Sequence, residues 1–102
     1  MKQPKYAVRL LQIAEDDLNE IVSYIAAENL TAAEAVAAKI EKNLLHLSDH
    51  PFIGRVPEED ELTGLGYRYL IVQNYLIFYT IEGQTILIHR MIHGARDYLR
   101  LL

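Results

Sequence analysis

Three short apolar runs in the last third of the chain constrain its fold more than any other feature. They cover residues 66–72, 75–81 and 84–92, and only Gln73-Asn74 and Glu82-Gly83 separate them. The runs are rich in Tyr, Ile, Val and Phe, which fit the pleated surface of a β-sheet. Two-residue polar turns connect antiparallel strands. The sequence therefore predicts a three-stranded antiparallel meander.

The segment before Gly66 has helical periodicity. An apolar stretch at residues 6–13 predicts a first strand. The acidic run Glu15-Asp16-Asp17 suits the positive end of a helix dipole, so we expect the first helix to begin there. The apolar residues that follow, at spacings of three, four and seven, are Leu18, Ile21, Val22 and Ile25. This spacing places them on one helix face, which we expect to be buried.

A second helix is predicted to begin at Thr31, because Thr31-x-x-Glu34 has the arrangement of a capping box. An Ala-rich run then favours helix, so that the two helices form a hairpin. The apolar stripe of the second helix consists of Val36, Ile40, Leu44 and Leu47. Pro51 ends this helix, since the residue before a proline is driven from helical conformations. Residues 52–65 are predicted to form a long connection.

The chain of 102 residues is expected to form one domain, residues 1–102, with a core that is thin for its surface. It has no cysteine, which excludes disulfides and thiolate metal sites. Residues 1–5 do not resemble a signal peptide, and no apolar run approaches the roughly 18 residues of a membrane span. We therefore expect no membrane partner and a cytoplasmic location.

The formal net charge of −4 is unevenly distributed along the chain. Residues 1–65 carry six Lys or Arg against twelve Asp or Glu, whereas residues 66–102 carry four against two. Proteins that bind nucleic-acid phosphates usually show a basic stripe, because counterion release supplies much of their affinity. The acidic balance argues against that class of partner.

Five short motifs follow the helical hairpin. They are Pro51-x-x-Gly54-Arg55, Gly66-Tyr67-Arg68, Tyr75-Leu76-Ile77-Phe78-Tyr79, His89-Arg90 and His93-Gly94-Ala95-Arg96-Asp97-Tyr98. None of them is specific alone, but their order and spacing together with the hairpin cover essentially the whole chain. The pattern resembles the RelE/ParE superfamily of toxins from bacterial type II toxin-antitoxin systems, and its ParE branch more closely.

This resemblance implies an α+β toxin fold, in which the helical hairpin packs on one face of the sheet and a cognate antitoxin holds the toxin inactive. ParE-like members poison DNA gyrase and so block replication. RelE-like members cleave messenger RNA on the ribosome. A third alternative is a binding module of the same fold that is no longer toxic. Because one fold serves several functions, only the residues of the functional site can distinguish among these alternatives.

The nuclease alternative needs a base, an acid and a cation near the scissile phosphate. The candidate catalytic residues under this alternative are Arg68, Arg90, His93 and Tyr98. The RNA-cleaving branch also carries a basic residue inside the middle strand of the meander, whereas residues 75–79 of this chain carry no charge. The gyrase alternative is therefore favoured, and it requires no catalytic residue.

Strict alternation along the last strand predicts the surroundings of its polar residues. It places Arg90 on the stripe of Ile88 and Ile92, and it places His89 on the stripe of Met91. His89 is therefore expected to be a core or rim residue. For Arg90, the alternative to a contact with a partner is a rim position or an ion pair with a nearby carboxylate.

The residues predicted to contact the target are Arg90, His93, Arg96 and Tyr98. Arg and Tyr dominate interface hot spots, which favours this choice. The antitoxin is expected to bind the apolar hairpin or a sheet edge and to form a hetero-oligomer, but the sequence does not identify its contact residues. No cofactor or metal is expected. The four histidines lack the spacing of a zinc site, and His46 and His50 suit the end of a helix.

Overall fold

A computed structural model describes residues 5–94 and 96–102. Its elements, in chain order, are β1 (Ala7–Leu10), α1 (Gln12–Ala26), α2 (Leu30–Asp49), α3 (Asp60–Gly64), β2 (Arg68–Val72), β3 (Tyr75–Glu82), β4 (Thr85–His93) and a C-terminal 3₁₀ turn (Tyr98–Arg100). Expectations for residues 1–4 and for Ala95 lie outside the described residues. The order of a strand, two long helices and three further strands confirms the predicted α+β organisation.

The four strands form one sheet in the order β1-β4-β3-β2. β2 with β3 and β3 with β4 are antiparallel, which confirms the meander, whereas β1 lies parallel to β4. β1 and β4 lie far apart in the chain, as a parallel pair requires, because parallel neighbours need a crossover connection. The α1–α2 hairpin is the first part of that connection.

The α1–α2 hairpin packs on one face of the sheet, as predicted. The buried residues of this core are Ala14, Ile21, Val36, Ile40, Leu47, Val72, Ile77, Tyr79, Ile86, Ile88 and Met91. One residue of the predicted α1 face and three of the predicted α2 stripe are among them. Within residues 5–94 and 96–102, no helix combines the length and the apolar character needed to cross a membrane.

A smaller cluster covers the opposite face of the sheet. Phe78 and Ile92 project from β3 and β4 and pack with Leu62 of α3. The partly buried residues around them are Tyr67, Tyr69, Leu76, Tyr98, Leu101 and Leu102. The C-terminal segment, residues 96–102, is therefore part of the folded domain.

Both long helices begin earlier than the sequence indicates. α1 begins at Gln12, directly after β1, so the acidic run lies inside the helix. α2 begins at Leu30, and the side-chain oxygen of Asn29 accepts a hydrogen bond of 3.0 Å from the backbone N–H of Ala32. The predicted capping box at Thr31 is wrong, because asparagine is an equally suitable cap and lies two residues earlier.

The connection between α2 and β2 is fixed to the sheet. The backbones of Arg55 and Tyr69 exchange two hydrogen bonds of 2.8 and 2.9 Å. The hydroxyl of Tyr79 donates to the carbonyl of Pro51 at 2.8 Å and accepts from the N–H of Gly54 at 2.9 Å. Only glycine fits at position 54, because a Cβ would overlap the Tyr79 ring. The predicted long connection therefore has structure of its own.

The ladder between β3 and β4 contains a β-bulge at His89. Phe78 pairs with Arg90, and Tyr79 pairs with Ile88. β4 therefore has one more residue than β3 at this point. Because side chains alternate between faces, one extra residue moves everything beyond it to the other face.

The bulge corrects two predictions about β4. Ile88 and Met91 both lie beneath the long helices, whereas Ile92 lies on the opposite face. Arg90 therefore does not share one stripe with both Ile88 and Ile92. His89 does not share a stripe with Met91, because its ring contacts residues of the second face instead.

Candidate interaction site

A cleft of about 450 Å³ lies between α1 and the end of β4. We call it the α1–β4 cleft. Its lining residues are Asp17, Glu20, Ile21, Tyr24, Tyr75, Arg90, Met91, Ile92, His93 and Arg96. Three of the four predicted target contacts, Arg90, His93 and Arg96, therefore meet in one place.

An ion pair between Arg90 and Asp17 lies within the α1–β4 cleft. Arg90 Nε donates to Asp17 Oδ2 at 2.7 Å, and Arg90 Nη2 donates to Asp17 Oδ1 at 3.0 Å. The same carboxylate accepts a hydrogen bond of 3.0 Å from the backbone N–H of Met91. The Arg90 and Asp17 side chains are only 14% and 12% exposed. This bidentate geometry joins α1 firmly to β4.

The hydrogen-bond donors of Arg90 are directed at the protein itself. Arg90 Nη1 donates to the carbonyl of Leu101 at 3.0 Å. The hydrogen bond to Asp17 raises the pKa of Arg90 above its usual value. Burial partly opposes this rise, and the negative charges of Asp17 and Glu20 add to it. Arg90 is therefore in an ion pair with a nearby carboxylate, which was the alternative to a contact with a partner. An incoming anion would have to displace Asp17 to reach this guanidinium.

His93 and Arg96 lie exposed at the rim of the α1–β4 cleft. The His93 and Tyr75 rings meet edge to face, with 5.6 Å between their centroids. The backbone N–H of Arg96 donates to the carbonyl of His93 at 3.0 Å, which holds both residues in one turn after β4. Tyr24 projects from α1 and is 79% exposed. Aromatic and cationic side chains around a cleft fit a protein contact surface.

Tyr98 lies on the second face of the sheet, away from the α1–β4 cleft. Its ring packs against Phe78 with 5.1 Å between the centroids. Its hydroxyl lies 2.8 and 3.2 Å from the two carboxylate oxygens of Glu59, to which it donates. This hydrogen bond, with burial and nearby negative charge, raises the pKa of Tyr98 to about 12. Tyr98 therefore anchors the C-terminal segment to the connection before β2.

Arg68 is held at a third place. Its Nη1 donates to the carbonyls of Phe52 at 3.2 Å and Gly54 at 3.0 Å. Its guanidinium carbon lies 5.3 Å from the centre of the Phe52 ring, within cation–π range. Arg68 thus holds the connection between α2 and β2 against the sheet.

The four candidate catalytic residues do not form one site in the described part of the chain. Arg90 and His93 share the α1–β4 cleft. Arg68 is bonded to the connection after α2, and Tyr98 is bonded to Glu59 on the other face of the sheet. Three of these four side chains are therefore held by other parts of the protein at separate places.

His89 is hydrogen-bonded at both ring nitrogens. Nε2 lies 2.8 Å from Thr80 Oγ1, and Nδ1 lies 3.4 Å from the hydroxyl of Tyr67. Burial lowers the pKa of His89, although the charge of Glu82 partly opposes this effect. A largely neutral, doubly bonded imidazole has a structural role, as the sequence predicts for His89.

The His46 and His50 rings lie together at the end of α2, with 4.6 Å between their centroids. Among the residues that the structure describes, no three or more His, Asp or Glu side chains are placed to hold a metal ion. Imidazoles at this position suit the negative end of the helix dipole.

The sequence does not identify the α1 side of the cleft. It assigns Asp17 to the helix dipole, yet the carboxylate pairs with a residue 73 positions away. Glu20 and Tyr24 follow Asp17 at helical spacing, so all three lie along one side of α1. A polar stripe at these spacings beside the apolar face is the only sequence signal for this half of the site.

Solved structures of other proteins share this fold. A chain of the chromosomal ParDE TA system from P. aeruginosa is similar with a TM-score of 0.72 and 18% sequence identity, over 89% of this chain and 98% of that chain. A chain of the toxin-antitoxin complex RelBE2 from Mycobacterium tuberculosis has a TM-score of 0.63 and 23% identity, over 93% and 98%. At such identities the similarity shows a common fold. No curated protein sequence matches the chain.

The fold is thus that of the RelE/ParE toxins, as the sequence motifs predict. The family model of the ParE toxin of the type II toxin-antitoxin system, parDE, matches residues 8–98. The chain belongs to this family. The matched range begins in β1 and ends at the first residue of the C-terminal 3₁₀ turn, so it includes the whole α1–β4 cleft.

Proposed function

We propose that this chain is the toxin of a type II toxin-antitoxin system and that it inhibits DNA gyrase. Membership of the ParE toxin family supports the class of protein. The observation that favours gyrase over RNA is the dispersal of the candidate catalytic residues, Arg68, Arg90, His93 and Tyr98. RNA cleavage requires acid, base and cation to converge on one phosphate. Inhibition by protein contact requires only a suitable surface.

The α1–β4 cleft is the proposed surface for the target. His93 and Arg96 at its rim, with the exposed Tyr24, supply the side-chain types that dominate interface hot spots. Arg90 acts indirectly in this proposal, because its ion pair with Asp17 fixes the two walls of the cleft.

Two of the four predicted target contacts also hold the C-terminal segment. Arg90 binds the carbonyl of Leu101, and Tyr98 binds Glu59. The segment carries Arg96 at its start, so both attachments restrict where that guanidinium lies. Arg90 and Tyr98 are therefore proposed as positioning residues, and His93 and Arg96 as direct contacts.

A cognate antitoxin is the proposed partner in the resting cell, as part of a hetero-oligomer. Two proteins of this fold come from a ParDE system and a toxin-antitoxin complex, which supports such a partner. Exposed apolar side chains, among them Leu45 and Phe52, leave surface for an antitoxin to cover. Toxin, antitoxin and gyrase would meet in the cytoplasm, which is the proposed location.

Tightly controlled expression without an antitoxin tests this function. We expect growth arrest, filamentous cells and an induced DNA-damage response, because gyrase trapped on cleaved DNA leaves strand breaks. The double variant His93→Ala, Arg96→Ala is expected to abolish the arrest. Arg9→Ala, an exposed residue of β1, is the control and should arrest growth like the unchanged chain.

Two results of this experiment would contradict gyrase inhibition. Arrest with immediate loss of protein synthesis and no damage response would favour the ribosome-dependent nuclease. Normal growth in cells that accumulate the folded chain would favour the inactive binding module.

A further inference from the structure

A second cleft, of about 530 Å³, lies between α2 and β2 at the edge of the sheet. We call it the α2–β2 groove. Its lining residues include Lys39, Lys42, His46, Ile71, Val72 and Gln73. The two lysines and the histidine are three and four positions apart, so they share one side of α2. The lining contains no carboxylate, although the whole chain has a net charge of −4. The groove is therefore a local concentration of positive charge.

β2 forms the wall of the groove and is an edge strand of the sheet. The backbone N–H and C=O of Tyr69 point outward and bond to Arg55 at 2.9 and 2.8 Å. Alternate residues of an antiparallel strand direct their backbone groups to the same side. The backbone N–H and C=O of Ile71, two residues after Tyr69, therefore also point outward. The Ile71 side chain is 48% exposed. Such an edge is a template for an added strand.

We propose that an acidic, extended segment of the antitoxin pairs with the edge of β2 in the α2–β2 groove. The proposal rests on the function proposed above, which supplies the partner. Side chains of an added strand alternate between its two sides. Carboxylates on one side would face Lys39 and Lys42, and apolar side chains on the other would lie beside Ile71. The expected segment therefore alternates acidic and apolar residues.

The same basic residues are also compatible with a nucleic-acid backbone, but two observations favour a peptide. A phosphate cannot satisfy the outward carbonyl of Ile71, whereas the N–H of a strand can. The net charge of −4 also repels a long polyanion, while a short acidic segment meets only the groove. A peptide strand satisfies the backbone, the charges and the apolar Ile71 together.

Direct binding of short synthetic peptides to the full chain tests the chemistry of the groove. The first probe alternates Glu and Val, and the matched probe alternates Lys and Val. We expect only the Glu-Val peptide to bind, more weakly at high salt, because exposed charge pairs are screened. NMR shifts should be centred on Ile71 and the facing side of α2. Absence of Glu-Val binding, or tighter binding of a single-stranded DNA oligonucleotide, would overturn the proposal.

Two variants separate the charges from the backbone pairing. Lys39→Glu with Lys42→Glu should weaken Glu-Val binding by about tenfold or more, because two attractive contacts become repulsive. Ile71→Pro removes the outward N–H and replaces Ile71 with a smaller apolar side chain, and proline is tolerated there because that side of an edge strand forms no hydrogen bonds within the sheet. It should weaken binding while circular dichroism stays unchanged. Arg9→Glu, a charge reversal on β1 at the opposite edge, should bind like the unchanged chain.

Co-purification with the antitoxin tests the identity of the occupant. The doubly substituted Lys39→Glu, Lys42→Glu chain should bind the tagged antitoxin more weakly than Arg9→Glu does, and the antitoxin should protect cells from it less well. Equal binding of both variants would overturn the proposal. The peptide measurement requires neither toxicity nor gyrase. Absence of peptide binding would therefore count against the groove proposal alone, whereas absence of growth arrest would count against the proposed function alone.

Discussion

The ion pair of Asp17 and Arg90 joins three parts of the fold. The carboxylate also accepts the backbone N–H of Met91, and the guanidinium also donates to the carbonyl of Leu101. One largely buried pair therefore connects α1, β4 and the C-terminal segment. A buried ion pair adds little to the stability of the fold relative to an apolar pair of the same shape. Removing one partner is costly, however, because it leaves a buried charge without compensation.

Replacing Asp17 with alanine is expected to destabilise the chain by about 3 kcal/mol, because Arg90 would keep its charge without its carboxylate partner. The backbone N–H of Met91 would also lose its acceptor. Urea unfolding of the unchanged and substituted chains measures this difference in the free energy of unfolding.

Asp16→Ala provides the control for this measurement. Asp16 is exposed on the same helix, and its carboxylate accepts a local hydrogen bond of 3.0 Å from the side chain of Gln12. We expect its substitution to change stability by less than about 0.5 kcal/mol. A similarly small effect for Asp17→Ala would show that the pair does not hold the three parts together.

Among the elements, the C-terminal segment depends on contacts with residues far away in the chain. It has a single 3₁₀ turn, and the contacts that hold it include the Tyr98 hydroxyl bonded to Glu59, the Tyr98 ring against Phe78, Leu101 bonded to Arg90, and the packing of Leu101 and Leu102 on the second face of the sheet. An element this short has no stability of its own. Its position, and with it the start of the segment at Arg96, follows from these contacts.

The attachment through Tyr98 is expected to weaken in strongly alkaline solution. The hydrogen bond to Glu59 raises the pKa of Tyr98 in the folded chain from 10.0 to about 12. Because the folded pKa is the higher one, the contribution of this bond to stability is complete below pH 10 and falls as the pH rises from 10 towards 12. Tyr98→Phe removes the hydroxyl and provides the reference.

Chemical unfolding of both chains at several pH values measures this effect. The stability advantage of the unchanged chain over Tyr98→Phe should shrink across the interval between pH 10 and 12. An advantage that stays constant across this interval would mean that the hydroxyl is not held by Glu59.

The sequence predicts whether a segment is a helix or a strand better than it predicts helix caps and β-bulges. Helical spacing identifies Ile40 and Leu47 as core residues, and two-residue turns identify the meander, because both signals depend on neighbouring residues alone. The bulge at His89 and the cap at Asn29 depend on choices between nearly equivalent local arrangements. The tertiary structure makes those choices, so the face on which Ile92 lies cannot be obtained from alternation.

On the scale of the whole molecule, the α1–β4 cleft and the α2–β2 groove lie at the same end of the sheet. Tyr75 lines the cleft, and Val72, its pairing partner across the turn, lines the groove. The carbonyl of Asn74 in that turn accepts a bond of 2.8 Å from the N–H of Gly94, directly after β4. A segment bound in the groove would therefore lie close to the cleft, so under the proposed function the antitoxin would hinder access of the target to the cleft.

The candidate site is less predictable than the fold, because it depends on contacts between residues far apart in the chain. His93 and Arg96 are recognisable in the sequence because they end a strand within a short motif. Their neighbours Asp17 and Tyr24 lie far away in the chain, and only the packing of α1 against β4 brings them close. Tyr98 belongs to the same motif but turns to the other face, because Glu59 and Phe78 hold it there.

The most direct test of the account is a DNA cleavage and supercoiling assay with purified gyrase, relaxed plasmid and ATP. The unchanged chain is expected to reduce supercoiling and to accumulate cleaved plasmid, whereas His93→Ala with Arg96→Ala should do neither. Arg9→Ala is the matched control and should act like the unchanged chain. Unaffected gyrase, together with arrest of a cell-free translation reaction by the same protein, would contradict the account.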